Sequence, residues 1–275
     1  DTVNITSIGD IREATPYDST PDITAGTIHL TAKAGGIGVA TKYLNVDAAT
    51  ALNADTTNDQ ANIYLRSSAD NMPVDLLNAG TGNVYLWGSK AITDANGAAN
   101  NNITATAAVL ESVEGMGLDT TVGYLAAENT TSGDINIANS GALTLEDAHK
   151  IDSNIPVWGY AVKNAGGGIN ISAGSPITVL SDLTANNDLT LTALETPAPV
   201  DNDNIIIGGT VNSIVYKPTI ESTGGTITLQ AGDDIVQSKG TSIITQTKNI
   251  TLTAGYLDSD NEGSITQEDN TAKIQ

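Results

Sequence analysis

Residues 223–267 read TGGTITLQAGDDIVQSKGTSIITQTKNITLTAGYLDSDNEGSITQ. A short alternating segment, a Gly/Asp turn and another short segment follow one another without a helical period. Thr226 to Ala231 is TITLQA, and Asn249 to Ala254 is NITLTA. In each, every second residue is aliphatic, the pattern of a strand with one buried face. The same unit recurs as TIHLTA at 27–32, NIYLRS at 62–67, NVYLWG at 83–88, DINIAN at 134–139, GINISA at 168–173 and DLTLTA at 188–193. The opening DTVNIT is a further version.

The second aliphatic of each unit falls at Leu30, Leu65, Leu86, Ile137, Ile171, Leu191, Leu229 and Leu252. The closest copies (65 to 86, 171 to 191, 229 to 252) are 20 to 23 residues apart. Longer gaps are expected to hold inserted loops or degenerate coils. Several short strands in a period of this length predict a solenoid, whereas a propeller blade needs about twice the period. The expected fold is therefore a parallel β-helix over residues 1–275, one elongated β-solenoid with loop insertions. With one strand spacing per rung, about ten to eleven rungs would rise roughly 50 Å.

Composition agrees with a thin layered interior. There are 37 Thr, 27 Gly and 26 Asn, two Trp and no Phe. Compact cores lean on aromatics, whereas Ile, Val, Leu and Ala suit a narrow stack. Thr, Val and Ile favour strands, and Gly, Asn and Asp favour the turns between them. Residues 45–61 and 94–102, rich in Ala, Asn and Asp, read as projecting loops. Residues 195–204 carry two prolines and read as a non-strand excursion. Residues 143–150 are the best helical stretch.

The net charge of −21 opposes nucleic-acid binding, which depends on Lys and Arg neutralising phosphates. It equally opposes an anionic membrane surface. Without Cys there is no disulfide framework, thiolate metal site or thiol nucleophile. No apolar run approaches the ~18–20 residues of a membrane span, so no membrane insertion is expected. No signal-peptide pattern opens at Asp1. Strand-like ends without an evident cap predict a segment of a longer chain, or a subunit that self-associates end to end or laterally.

Residues 35–67 (GGIGVATKYLNVDAATALNADTTNDQANIYLRSS) carry a GxIG turn at Gly35 to Gly38 and a strand at Tyr43 to Val46. Further strands follow at Ala51 to Thr56 and Ala61 to Leu65. This succession resembles the β-strand repeats of filamentous-haemagglutinin-like bacterial surface proteins, as do TGGTITLQAGDDIVQ and KNITLTAG. Tyr43 stands where that family usually has Pro. The resemblance implies a right-handed parallel β-helix, exported and displayed on the cell surface as an adhesin shaft or filament. Glycans or a host or cell-surface receptor are then the expected partners. The family's NPNL and NPNG secretion motifs are absent from this chain.

His29 and His149 are 120 positions apart (149 − 29), too far in sequence to suggest a dyad. No GxSxG, Walker, HExxH or Rossmann signature is present. Carboxylates are the only plausible catalytic material: Asp233/Asp234, Asp201/Asp203 and Asp258/Asp260/Glu262. They would serve an alternative function, a β-helix polysaccharide lyase or hydrolase. Neighbouring turn acids seldom face each other across a groove at glycosidase spacing, and Asp beside Gly is ordinary turn chemistry. The non-catalytic reading is preferred.

Asp258, Asp260 and Glu262, with Asp269 in the twelfth position, partly match a calcium loop. Glu262 occupies position five, Asp269 stands where the bidentate Glu belongs, and no helices flank the loop. A solvated turn is the competing reading, and no other cofactor is expected. One outward column is predicted to hold His29, Tyr64, Tyr85, Asn136, Asn170, Thr190, Thr228 and Thr251. Within it, Tyr64 and Tyr85, with Trp87 beside them, form either an exposed sugar-binding ladder or a mutually stacked face. The five Asn-x-Ser/Thr sequons, at Asn4, Asn102, Asn129, Asn170 and Asn249, are no more than composition predicts.

Overall fold

The computed structural model describes residues 1–14, 20–98, 100–195, 202–257, 263–268 and 273–275. The protein is all-β, and the helix among the described residues is the single turn Ala148–Ile151. Two compact units divide the chain, Asp1–Val122 and Gly123–Gln275.

In the second unit the strands form three parallel ladders. One runs through Ile135–Asn139, Ile169–Ala173, Leu189–Ala193, Ile227–Ala231 and Ile250–Thr253. Another runs through Leu143–Leu145, Ile177–Val179, Ile205–Ile207, Ile235–Gln237 and Ile265–Gln267. The third joins Tyr160–Asn164, Asp182–Ala185, Thr219–Ser222, Ser242–Thr245 and Lys273–Ile274. From Ile169 to Ile274 the chain visits the three ladders in the same order each time.

Register places like upon like. Ile169, Leu189, Ile227 and Ile250 are successive partners, as are Ile171, Leu191, Leu229 and Leu252, and Ala173, Ala193 and Ala231. Their alternation is directly visible in burial, buried–exposed–buried–exposed–buried for Ile135–Asn139. Each fully buried aliphatic contributes about 1.5–3 kcal/mol, so the driving force is spread along the ladders. Between Ile207 and Thr219 the chain adds an antiparallel hairpin, Gly209–Val211 with Ile214–Tyr216. Its turn residues Asn212 and Ser213 both have positive φ, 50° and 66°, as a tight primed turn requires.

The strands are joined by turns stitched with amide side chains. Asn164 is 1 % exposed. Its Oδ1 accepts from Asn129 Nδ2 (2.9 Å), Gly166 N (3.1 Å) and Gly167 N (2.9 Å). Its Nδ2 donates to Gly133 O (3.0 Å) and Gly168 O (2.7 Å). Gly166 has to be Gly because a Cβ there would lie 2.0 Å from the Thr131 carbonyl oxygen.

The first unit has two ladders. One joins Thr2–Ser7, Ile23–Ala32, Leu44–Asp55 and Met72–Asn78, continuing into Ile92–Asp94, Ile103–Thr104 and Met116–Thr121. The other joins Ile63–Ser67, Asn83–Gly88 and Ala107–Ser112, with Leu44 and Asn45 reaching the first of these.

Three expectations need correction here. Of residues 45–61 only 56–61 form a turn, because Leu44–Asp55 is a twelve-residue strand. Its Val46, Ala48, Leu52 and Ala54 are buried, and small apolar residues suffice where the interior is narrow. The helical stretch at 143–150 is helix only in its second half: Leu143–Leu145 is strand, and the helix begins at Ala148 behind its Asp147 N-cap. The predicted column divides: His29 pairs with Asn4 and Asn53, and Tyr64 pairs with Tyr85 in the other ladder of the first unit. The remaining members Asn136, Asn170, Thr190, Thr228 and Thr251 do stand in one register column.

Candidate functional site

The aromatic column of the first unit stacks as a pair. Tyr64 and Tyr85 lie with ring centroids 4.2 Å apart and planes 6° from parallel. Asn62 Nδ2 donates to the Tyr64 hydroxyl (2.9 Å), and Asn83 Nδ2 to the Tyr85 hydroxyl (3.0 Å). The pair is not an exposed ladder: Tyr64 is 7 % and Tyr85 0 % exposed. Tyr43 tilts over Tyr64 at 5.6 Å, and the strand Ile63–Ser67 is buried at every position. Trp87 is half-buried, with the Arg66 guanidinium 5.1 Å from its ring centroid. Tyr64 and Tyr85 are thus the mutually stacked face of the two alternatives.

Of the carboxylates singled out above, Asp201, Asp258, Asp260, Glu262 and Asp269 lie outside the described residues, and the calcium loop with them. Asp203 and Asp233, which belong to different sequence clusters, are brought together with Glu195. Their ligating oxygens all lie within 4.8 Å of one another. Asp203 N donates to Asp233 Oδ2 (2.8 Å), and Asp233 N to Asp203 O (3.1 Å). Gly232 admits the group, since a Cβ there would approach Glu195 Oε2 to 2.6 Å. Three carboxylates this close could supply part of the oxygen donor set of a hard divalent cation. Glu195 had no sequence signal, because only the register of Leu189–Ala193 on Ile227–Ala231 carries it to Asp233.

Five other acids have a plainer use. Asp10, Asp134, Asp182, Asp188 and Asp234 each accept, through Oδ1, from a backbone N–H of the following turn. The donors are Gly36 (2.8 Å) and Gly168, Thr219, Thr226 and Ser264 (2.7 Å each). An Asp just before or at a strand start thus ties its turn to the next one. The first unit also has an open groove of about 780 Å³, with Asp1, Asp47, Asp70 and Glu114 along it. The Lys90 ammonium lies 2.5 Å from Asp70 Oδ1, and that bond raises the lysine pKa.

A smaller cavity of about 270 Å³ in the second unit gathers Glu146, Lys150, Ser181, Tyr216 and Lys217. Glu146 follows the strand Leu143–Leu145, and Tyr216 ends the hairpin. Glu146 is 7 % exposed. The Tyr216 hydroxyl donates to its carboxylate, while Oε1 has no hydrogen-bond partner. Burial pushes Glu146 above the ordinary carboxylate range, against the opposing pull of Lys150, with Asp147 adding to the rise. Asp147 itself is spent on structure, accepting from His149 N (2.8 Å), Trp158 N (3.3 Å) and Gly159 N (2.5 Å).

These two kinds of acid give opposite pH dependences. The Thr226 backbone N–H and then its hydroxyl hold Asp188 below its ordinary value. Its contribution is therefore present above about pH 3.9 and lost as pH falls through the lowered value. Glu146 binds its proton more tightly folded than unfolded, so stability falls as pH rises from about 4.3 through the raised value. Thermal melts followed at Trp158 should show both arms. Glu146→Gln is expected to flatten the upper arm and leave the lower one. An unchanged upper arm in that variant would show that Glu146 is not its source.

Comparisons of the chain with protein-family profiles, with curated proteins and with solved structures each return no match.

Proposed function

We propose that each unit is a stretch of right-handed parallel β-helix, and that the chain is a non-catalytic structural segment of an extracellular or cell-surface protein. In this reading it belongs to a rigid adhesin shaft or filament of the filamentous-haemagglutinin-like kind. The observation that carries the proposal is the three-ladder repeat of the second unit, in which equivalent side chains pair strand after strand. Such a repeat supports length and stiffness, since each turn needs only its neighbours for its core. The turn-to-turn hydrogen bonds of Asp10, Asp134, Asp182, Asp188 and Asp234 point the same way. Self-association and contact with glycans or a surface receptor complete the proposal. No helix among the described residues is long and apolar enough to cross a membrane.

Immunogold labelling of intact cells bearing the parent protein, with antibody raised to this chain, tests the assignment. Gold on projecting surface material is expected. Labelling that requires permeabilised cells would overturn it.

A further inference from the structure

We propose that the hairpin Gly209–Tyr216 is a pH-sensitive clasp: it rests on the wall of the second unit while Glu146 carries a proton, and lifts when Glu146 ionises. The inference goes beyond the shaft reading and holds or fails without it. The hairpin forms a small sheet of its own, separate from the ladders, and Thr210 to Val215 are all exposed. Its two roots are fixed, since Gly208 N donates to Val179 O (2.8 Å) and Pro218 is buried. Between them Tyr216 reaches back, and its hydroxyl donates to the Glu146 carboxylate. Gly209, where the hairpin leaves its first root, has φ 114°. Glycine adopts such backbone freely and other residues rarely do, which suits a hinge.

Glu146 is the part that switches. It is 7 % exposed, and its Oε1 is closed to solvent with no hydrogen-bond partner. A neutral carboxyl keeps an oxygen for the Tyr216 hydroxyl and brings no charge into the site. A carboxylate places a charge there with one oxygen served by neither protein nor water, the costly state. The charged groups around it oppose one another. Lys150 on the helical turn attracts the carboxylate, and Asp147 before it repels. Lys217, just past the hairpin, and Asp182, at the head of Asp182–Ala185, line the same depression with opposite signs. Tyr124, from the strand Tyr124–Asn129, acts on Tyr216. Burial is the largest influence on Glu146, so water is what its ionised form lacks, and lifting Tyr216 admits it. The docked hairpin is therefore favoured below the ordinary glutamate value of about 4.3 and loosens as pH rises through the raised one.

The test places a nitroxide at the hairpin tip through Ser213→Cys, in a chain that has no other cysteine. Its mobility is followed by continuous-wave EPR from about pH 4 to about pH 9. A label at Asn170→Cys, exposed on a ladder strand, is the control. At the tip, a slow spectrum at acid pH is expected to give way to a fast one as pH rises, while the control stays unchanged. In Glu146→Gln the amide keeps an acceptor for Tyr216 and cannot ionise, so the tip should stay slow throughout. Tyr216→Phe removes the tie, so the tip should be fast at every pH. Thermal melts establish that each variant is folded, and Tyr216→Phe, which keeps the ring, provides the reading should Glu146→Gln unfold. A tip spectrum independent of pH without either substitution would overturn the proposal. So would a pH response retained in either folded variant, or a control label that changes in step with the tip.

Discussion

Tyr85→Ala will destabilise the Asp1–Val122 unit by about 3–5 kcal/mol, the range for removing a large buried aromatic. The side chain is wholly buried, and the contacts with Tyr64 at 4.2 Å and with the Asn83 amide at 3.0 Å go with it. A stacked aromatic pair adds roughly 0.5–1.5 kcal/mol beyond the area it buries. Tyr85→Phe keeps the ring and loses only the hydroxyl as acceptor, so it should cost about 1 kcal/mol. The chain has two tryptophans, Trp87 in this unit and Trp158 in the other. Urea unfolding read at Trp87 in a Trp158→Phe background isolates the effect. A loss below about 1 kcal/mol for Tyr85→Ala would mean that the ring is in fact solvated.

Asn164→Ala will have a comparable effect on the Gly123–Gln275 unit, for a different reason. The lost volume is small, but five hydrogen bonds disappear. The Gly167 N–H is left buried with its acceptor gone. With each orphaned buried group costing about 1–3 kcal/mol, a total of at least 3 kcal/mol is expected. Asn164→Asp separates donor from acceptor roles. It keeps the oxygen that receives Asn129, Gly166 and Gly167, but sets a second oxygen against the carbonyls of Gly133 and Gly168. Its carboxyl would be held protonated in the fold, so its instability should grow as pH rises above the ordinary carboxylate value of about 3.9. Unfolding read at Trp158 measures both variants. Equal stability of Asn164→Asp at acid and neutral pH would contradict the hydrogen-bond assignment.

The ladders were legible in the sequence because their period is written in aliphatic residues. Ile171, Leu191, Leu229 and Leu252 were placed in one column from spacing alone, and register confirms them as partners. The stacking of Tyr64 on Tyr85 was legible for the same reason, being a 21-residue offset (85 − 64) within a repeat. Its burial was not read, although Tyr43 stands one more 21-residue offset before Tyr64 (64 − 43) and covers it: Tyr43 reads as a turn position and not as a member of the column. Leu44–Asp55 was missed because Ala, Asn and Asp read as loop when local propensity is the only guide. Pairing with Ile23–Ala32 overrides that propensity. The hairpin after Ile207 did leave a signal: Val211-Asn212-Ser213-Ile214 has turn-formers between β-branched residues. Neither the Glu195–Asp203–Asp233 cluster nor the Glu146 cavity was legible, because each joins residues from different turns, and register is not a property of any one segment. Of the acids singled out in the sequence, Asp234 does serve turn chemistry, though its partner Ser264 lies in the next turn and not in its own.

In-register parallel stacking is the claim on which the rest depends, and paired spin labels test it most directly. The chain has no cysteine, so thiols introduced at the exposed positions Asn136, Asn170 and Thr251 can be labelled alone. Register places Asn136, Asn170, Thr190, Thr228 and Thr251 as successive neighbours. Four strand spacings then separate Asn136 from Thr251, about 19 Å between backbones, and three separate Asn170 from Thr251, about 14 Å. Pulsed and continuous-wave EPR should return narrow distributions near these values, with 136/251 the longer by about one spacing. A 136/251 separation beyond about 35 Å, or a 170/251 distance longer than that of 136/251, would contradict parallel in-register stacking.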